Sequence, residues 1–154
     1  MKKLPPGLCH ILAQTKLYTD GQEYVIVNIP LEQRYEGAAL FAKLATAFSA
    51  VVIDKDQLTL VLAADVWDEV KGSVEAVQEA PGYRLITFDL PLELGLVGYL
   101  ATLAQVLAEA GVSIFATSAY QRDHLLVMQS DFDRAWRALS EFIATCRGQM
   151  EVSS

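Results

Sequence analysis

With 154 residues, 53% of them hydrophobic, the chain has material for one ordinary domain or two very small ones and can bury a core without covalent staples. Its formal charge of −7 is spread over both halves: residues 1–82 carry seven Lys/Arg against eleven Asp/Glu, and residues 83–154 carry five against eight. Such a surface repels phosphate backbones and anionic lipid, which argues against nucleic acid and membrane as partners. Cys9 and Cys146 stand in no metal-ligand spacing, so they read as inert thiols in a reducing compartment, with no metal or other cofactor expected.

The N-terminal Lys2-Lys3 is followed by Pro5-Pro6 where a signal peptide needs its apolar stretch, and no run approaches the roughly 18 apolar residues of a membrane span. A cytoplasmic location is the expectation. Tyr24 to Pro30 is rich in β-branched residues and follows the tight-turn dipeptide Asp20-Gly21, so it reads as a strand, with Leu8 to Tyr18 as its hairpin partner. Leu40, Phe41, Leu44 and Phe48 recur at helical spacing and predict a helix over about residues 37–48. Val51 to Ile53 and Leu58 to Leu62 read as strands, and Asp65 as the N-cap of a short helix carrying Val66, Trp67 and Val70. The acids Asp65, Asp68 and Glu69 make a solvated face.

Pro81-Gly82 marks a break, and the order then repeats. Tyr83 to Leu90 reads as a strand; Leu96, Leu100, Leu103, Leu107 and Ala110 as a helical stripe with Gly111 at its C-terminus; Val112 to Tyr120 and His124 to Gln129 as strands. Ser130 is the expected N-cap of a last helix bearing Phe132, Ala135, Trp136, Leu139 and Ile143. Tyr24–Glu32 parallels Tyr83–Glu93 in letters as well as in order, and a repeat of about 60 residues suits a duplicated small α+β domain better than a solenoid. Trp67 and Trp136 occupy equivalent helices and are expected in the core or at a module interface.

The run Gly95 to Ile114, a loop, a helix, a glycine and a strand, resembles the ACT domain, an amino-acid-binding regulatory module of ferredoxin-like βαββαβ fold, with Leu94-Gly95 in place of the usual Pro-Gly. Phe115 to Val127 is similar to a narrower branch, the bacterial tandem-ACT proteins and the CASTOR-type arginine sensors. The resemblance implies an α+β fold of two tandem ACT-like modules packed together: a degenerate N-terminal module over 1–80, a second over 81–147, and a disordered tail at 148–154. It also implies a ligand held between modules, touching Glu93, Gly95, Leu96 and Val97 of the strand-helix loop of one, Ser113 and Ile114 at a strand start of another, and Asp123. The chemistry agrees: a loop glycine lets a ligand approach the backbone, a helix N-terminus favours a carboxylate, and Glu93 or Asp123 would face an amino group.

Each of these residues also has a plainer reading. Gly95 could only relieve a turn, Glu93 only favour the helix dipole, and Asp123 only form a turn. His10 and His124 lack a metal shell, Ser118, Asp123 and His124 lack a nucleophile elbow, and Gly95-Leu96-Val97-Gly98 lacks the basic neighbours of an RNA-binding KH loop. The expectation is therefore a non-catalytic sensor of an amino acid or similar zwitterion, forming a homo-oligomer or acting on a protein partner. The alternatives are a pure interaction module and, third, a small enzyme on the same scaffold.

Overall fold

The computed structural model describes residues 3–44, 48–75 and 78–152. They form two compact units: residues 21–84 make one, and residues 1–20 with 85–154 make the other. The expected boundary at 80/81 falls four residues before this one, and the first twenty residues join the second unit.

The inserted unit contains β2 (Glu23–Pro30), α2 (Arg34–Ala39), β3 (Ala50–Ile53), β4 (Gln57–Ala63), α3 (Ala64–Val70) and the first half of β5 (Gln78–Phe88). Its strands lie in the order β3-β4-β2-β5, all antiparallel, which is the ferredoxin-like arrangement. Strand alternation puts Val25, Val27 and Ile29 of β2 on one face with Leu58, Leu60 and Leu62 of β4, where Leu40, Trp67 and Val70 cover them. Gly37 lets α2 approach that face: a Cβ there would meet Ile29 Cδ1 at 3.1 Å. The Trp67 indole donates to Glu79 Oε1. The turn between β3 and β4 is held by Asp54, whose Oδ1 accepts from the N–H groups of Asp56 and Gln57 at 2.8 and 3.0 Å; these bonds hold its carboxyl below the usual pKa.

The helix expected over 37–48 is α2 followed by a 3-10 turn at Leu40–Lys43, three residues earlier at its start; residues 45–47 lie outside the described residues. Asp65 is not the cap of α3. Ala63 holds that position, and Asp65 sits in the first turn with Oδ1 on the N–H of Val66 at 2.8 Å, where its charge still favours the helix dipole. Pro81-Gly82 is likewise no break: β5 runs through it as a bulge against β2, with Gly82 at φ +81° taking the left-handed conformation a bulge requires.

The second unit consists of α1 (Pro6–Gln14), β1 (Leu17–Tyr18), the end of β5, α4 (Tyr99–Glu109), β6 (Phe115–Ser118), β7 (Asp123–Met128) and α5 (Phe132–Val152). Its strand order is β6-β7-β5-β1. This is the same βαββα plan, but the fourth strand, which would follow α5, comes from the N-terminus. Leu8 to Tyr18 is therefore not a hairpin partner of β2. Pro6 is tolerated in the first helical turn, Leu8, Cys9 and Leu12 share one helical face, and only Leu17–Tyr18 is extended, paired with β5. The core joins Ile86 and Phe88, Leu125 and Val127, Leu103 and Leu107, and Ala135 and Leu139 with that face of α1.

Arg147 of α5 caps α1, donating from Nε to Ala13 O at 2.8 Å and from a terminal nitrogen to Thr15 O at 3.1 Å. Ser130 lies in a 3-10 turn, Gln129–Asp131, rather than at an N-cap. Trp136 packs on Phe132 at 5.6 Å between ring centroids. The tail expected from residue 148 is helical to Val152, continuing the Ile143–Cys146 face, and residues 153–154 lie outside the described residues. Among the described residues no helix is long and apolar enough to cross a membrane.

Candidate functional site

β5 ends at Phe88 and α4 begins at Tyr99, leaving a ten-residue loop, 89–98. Its backbone is anchored at both ends. The Asp89 N–H donates to Lys16 O at 2.7 Å, and the Leu92 N–H donates to Gln121 O in the β6–β7 turn at 2.8 Å. That turn is closed by Ala119 N–H on Arg122 O at 2.8 Å, and the Arg122 guanidinium reaches Asp89 at 3.0 Å, a half-exposed pair that positions more than it stabilises. Loop and turn thus face each other across a cleft of about 280 Å³, lined by Glu93, Leu96, Gly98, Tyr99, Leu100, Ser118, Tyr120, Arg122 and Asp123 among others.

The floor of this cleft is the start of α4. Gly98 takes the left-handed conformation, φ +89°, at the N-cap, and its carbonyl accepts from both the N–H and the hydroxyl of Thr102, at 3.0 and 2.7 Å. No side chain caps the helix, and Tyr99, Leu100 and Ala101, whose first-turn N–H groups have no intrahelical acceptor, line the cleft at the positive end of the helix dipole. The Tyr99 hydroxyl shares a 2.7 Å hydrogen bond with Thr15 and is pushed up to about 12 by burial, so it stays neutral.

Two carboxylates join these donors in the cleft. Glu93 opens a turn in which its carbonyl accepts from Leu96 N–H at 3.1 Å. Asp123 begins β7 and accepts from the Ser118 hydroxyl at 2.5 Å. The neighbouring His124 turns away: Nδ1 lies 2.8 Å from the Thr87 hydroxyl, and burial lowers its pKa, with Asp123 opposing and Arg122 adding. Ser118, Asp123 and His124 are thus not strung as Ser–His–Asp, because the serine bonds the aspartate directly.

On its other side the loop borders a larger cavity of about 490 Å³, walled by Ile11 and Gln14 of α1 and by Glu93, Gly95, Leu96 and Val97. Of the expected ligand residues, then, Glu93 and Leu96 border both spaces, Asp123 borders the first, and Gly95 and Val97 border the second. Ser113 and Ile114 border neither. Residues 112–114 still turn back from the α4 terminus, with Val112 N–H on Leu107 O at 2.9 Å, and the strand begins only at Phe115. Ser118 is at the cleft, so Ile114 lies a strand length away, about 13 Å at 3.3 Å per residue.

Sequence reasoning missed Gly98, Ser118, Tyr120 and Arg122. The glycine carrying the special backbone is Gly98, whereas Gly95 is not left-handed and has open space around it. Its signal was present: Gly98 stands four residues before Thr102, immediately ahead of the apolar stripe, but taking Leu96 as the first residue of that stripe hid it inside the helix. In the inserted unit the equivalent connection is three residues, the 3-10 turn Leu31–Gln33, and Gln33 binds the backbone of Glu75 through both side-chain ends, at 2.9 and 2.6 Å.

Residues 78–141 match the family model described as ACT domain. Among solved structures, a protein from Agobacterium tumefaciens aligns with a TM-score of 0.65 at 22% identity, covering 83% of this chain and 88% of that one. A Vibrio cholerae protein of unknown function aligns with a TM-score of 0.64 at 25% identity over 86% and 94%. The ligand-free regulatory subunit of aspartate kinase from Thermus thermophilus aligns with a TM-score of 0.64 at 15% identity over 83% and 97%. These likenesses establish an ACT-type, ferredoxin-like fold. No curated protein matches the chain.

Proposed function

We propose that the chain is a non-catalytic regulatory protein that binds an amino acid or related small zwitterion at the loop 89–98. One observation carries the reading: uncapped N–H groups of α4 and the carboxylates of Glu93 and Asp123 border the same cleft, about 280 Å³ in volume. The helix terminus suits the ligand's carboxylate and the acids its ammonium group. An amino acid presents both charges a few ångströms apart. The likeness to a regulatory subunit of aspartate kinase supports a regulatory rather than catalytic part, and the loop lies inside the segment, residues 78–141, that matches the ACT domain model.

The site is completed by a second copy of the chain, which contributes Ser113 and Ile114 opposite the loop of the first, in keeping with the between-module site that the ACT resemblance implies. Large apolar side chains on the loop and the facing turn support this: Leu94, Val97 and Tyr120 are 71, 85 and 77% exposed. Such a cluster is unusual on a surface that meets only water. The inserted unit, with its three-residue connection, serves as a packing module without a site of its own. The protein acts in the cytoplasm on a protein partner whose state changes with ligand.

Isothermal titration of the twenty amino acids tests this. Binding of at least one, weakened tenfold or more by Glu93→Ala or Asp123→Asn, is expected. No binding by any of them, with both variants indistinguishable from wild type in thermal shift, refutes it. The same exposed side chains favour a second reading, a pure dimerisation module; it would be supported by a dimer that Tyr120→Ser dissociates and no amino acid affects.

A further inference from the structure

The chain's two cysteines, 137 positions apart, meet where α1 packs on α5, away from the cleft. Both are free and buried, Cys9 7% and Cys146 2% exposed. The Cys9 thiol points at Cys146 O, 4.0 Å away, and at Gln149 Oε1, 3.4 Å away. Burial, and then the adjoining Cys9 thiol, push the Cys146 thiol up to about 11, so it rests as a neutral thiol.

We propose that Cys9 and Cys146 form a reversible intrachain disulfide when the protein meets a small-molecule disulfide, and that this bond clamps α1 to α5. The exchange balances without any group the chain lacks. One cysteine loses its proton and attacks a sulfur of the oxidant, releasing one thiol and leaving a mixed disulfide. The second cysteine then attacks the protein sulfur of that adduct, its proton passing to the second released thiol. In sum, two protein thiols and one small disulfide become one protein disulfide and two small thiols.

The first step requires α1 to lift, because both sulfurs are covered. The second is intramolecular, between residues that the packing of α1 on α5 brings together. The consequence lies at the loop. α1 presents Leu8 against Gly98, Ile11 and Gln14 to the 490 Å³ cavity, and Thr15, just past its end, to Tyr99. A bond from Cys9 to α5 therefore holds one wall of that cavity fixed, whether or not the cavity takes a ligand.

The full chain is incubated with oxidised glutathione at about pH 8, quenched in acid and weighed intact. A loss of about 2 Da, reversed by dithiothreitol, with a cross-linked Cys9–Cys146 peptide and a Tm raised by about 5–15 °C, is expected. Two thiols still open to alkylation after denaturation, or glutathione adducts on both sulfurs, overturn the proposal. A disulfide that leaves hydrogen exchange of the α1 amides unchanged overturns the clamp. Cys146→Ala should stop at one adduct on Cys9, and if that variant fails to fold, the wild-type mass alone decides.

Discussion

Replacing Gly98 by alanine separates the two glycines of the loop. At φ +89° an L-residue costs about 1–2 kcal/mol relative to glycine, and the new methyl would stand 3.4 Å from Leu8 Cδ2, an ordinary contact that adds little. Gly95 has neither a positive φ nor any atom within 4 Å of its would-be Cβ, so Gly95→Ala should lie within about 0.5 kcal/mol of wild type. Urea unfolding followed through Trp136, in a Trp67→Phe background that isolates the second unit's indole, measures both. The Gly98→Ala midpoint should fall with an unchanged m-value. If ligand binds the α4 terminus, affinity should fall with it, since the strained cap displaces the first-turn N–H groups. Equal effects from the two substitutions, or a neutral Gly98→Ala, would refute the assignment of Gly98 as the residue that turns the chain into α4.

Four further outcomes can be checked with the same denaturation assay. Tyr99→Phe removes the 2.7 Å bond to the Thr15 hydroxyl, which is 1% exposed and keeps only a 3.4 Å bond to Ile11 O, and should cost about 1–2 kcal/mol; Thr15→Val with Tyr99→Phe should recover part of it, a coupling that a double-mutant cycle reads directly. Because the folded pKa of His124 lies below 6.5, the unfolded chain binds the extra proton first; its contribution to stability is complete above pH 6.5 and declines as pH falls through the lowered folded value, and His124→Gln should flatten that limb. Tyr99, raised to about 12, should produce the opposite limb, stability lost between pH 10 and 12 and reduced in Tyr99→Phe, the part that remains below about pH 11 coming from Cys146. Arg147→Ala removes both bonds to the end of α1 and should destabilise by about 1–2 kcal/mol, with faster hydrogen exchange in α1 than in α4.

The periodic elements were legible because burial enforces their period. Val25, Val27 and Ile29 alternate, and Leu103 and Leu107 recur every four residues, since each lines a core face. What was not legible depends on partners distant in sequence. Nothing local tells that Leu8 to Gln14 is helical while Leu17–Tyr18 pairs with a strand seventy residues later, because the decision rests on the fit of Leu8, Cys9 and Leu12 against α5 and the β5 core. The same holds at the site. Glu93 and Asp123 were found by motif and chemistry, whereas Arg122 and Tyr120 border the cleft only because the β6–β7 turn folds back to meet the loop through Leu92 and Gln121.

The two units share one plan but treat the strand-to-helix connection differently, and the difference bears on which could bind anything. In the inserted unit the three-residue 3-10 turn runs straight into α2, which likewise has no side-chain cap, and Gln33 spends both ends of its amide on the backbone of Glu75. A ten-residue connection must be held from outside, and Lys16 and Gln121 supply the acceptors that hold it. That anchoring leaves the middle, Glu93 to Val97, as an exposed arch over an uncapped helix. Lengthening the short connection would add chain-closure entropy of only a few tenths of a kcal/mol per residue, so cost alone does not keep it short. The long loop, by contrast, keeps Leu94 and Val97 in water at a recurring free-energy penalty, which burial of those side chains against another surface would remove.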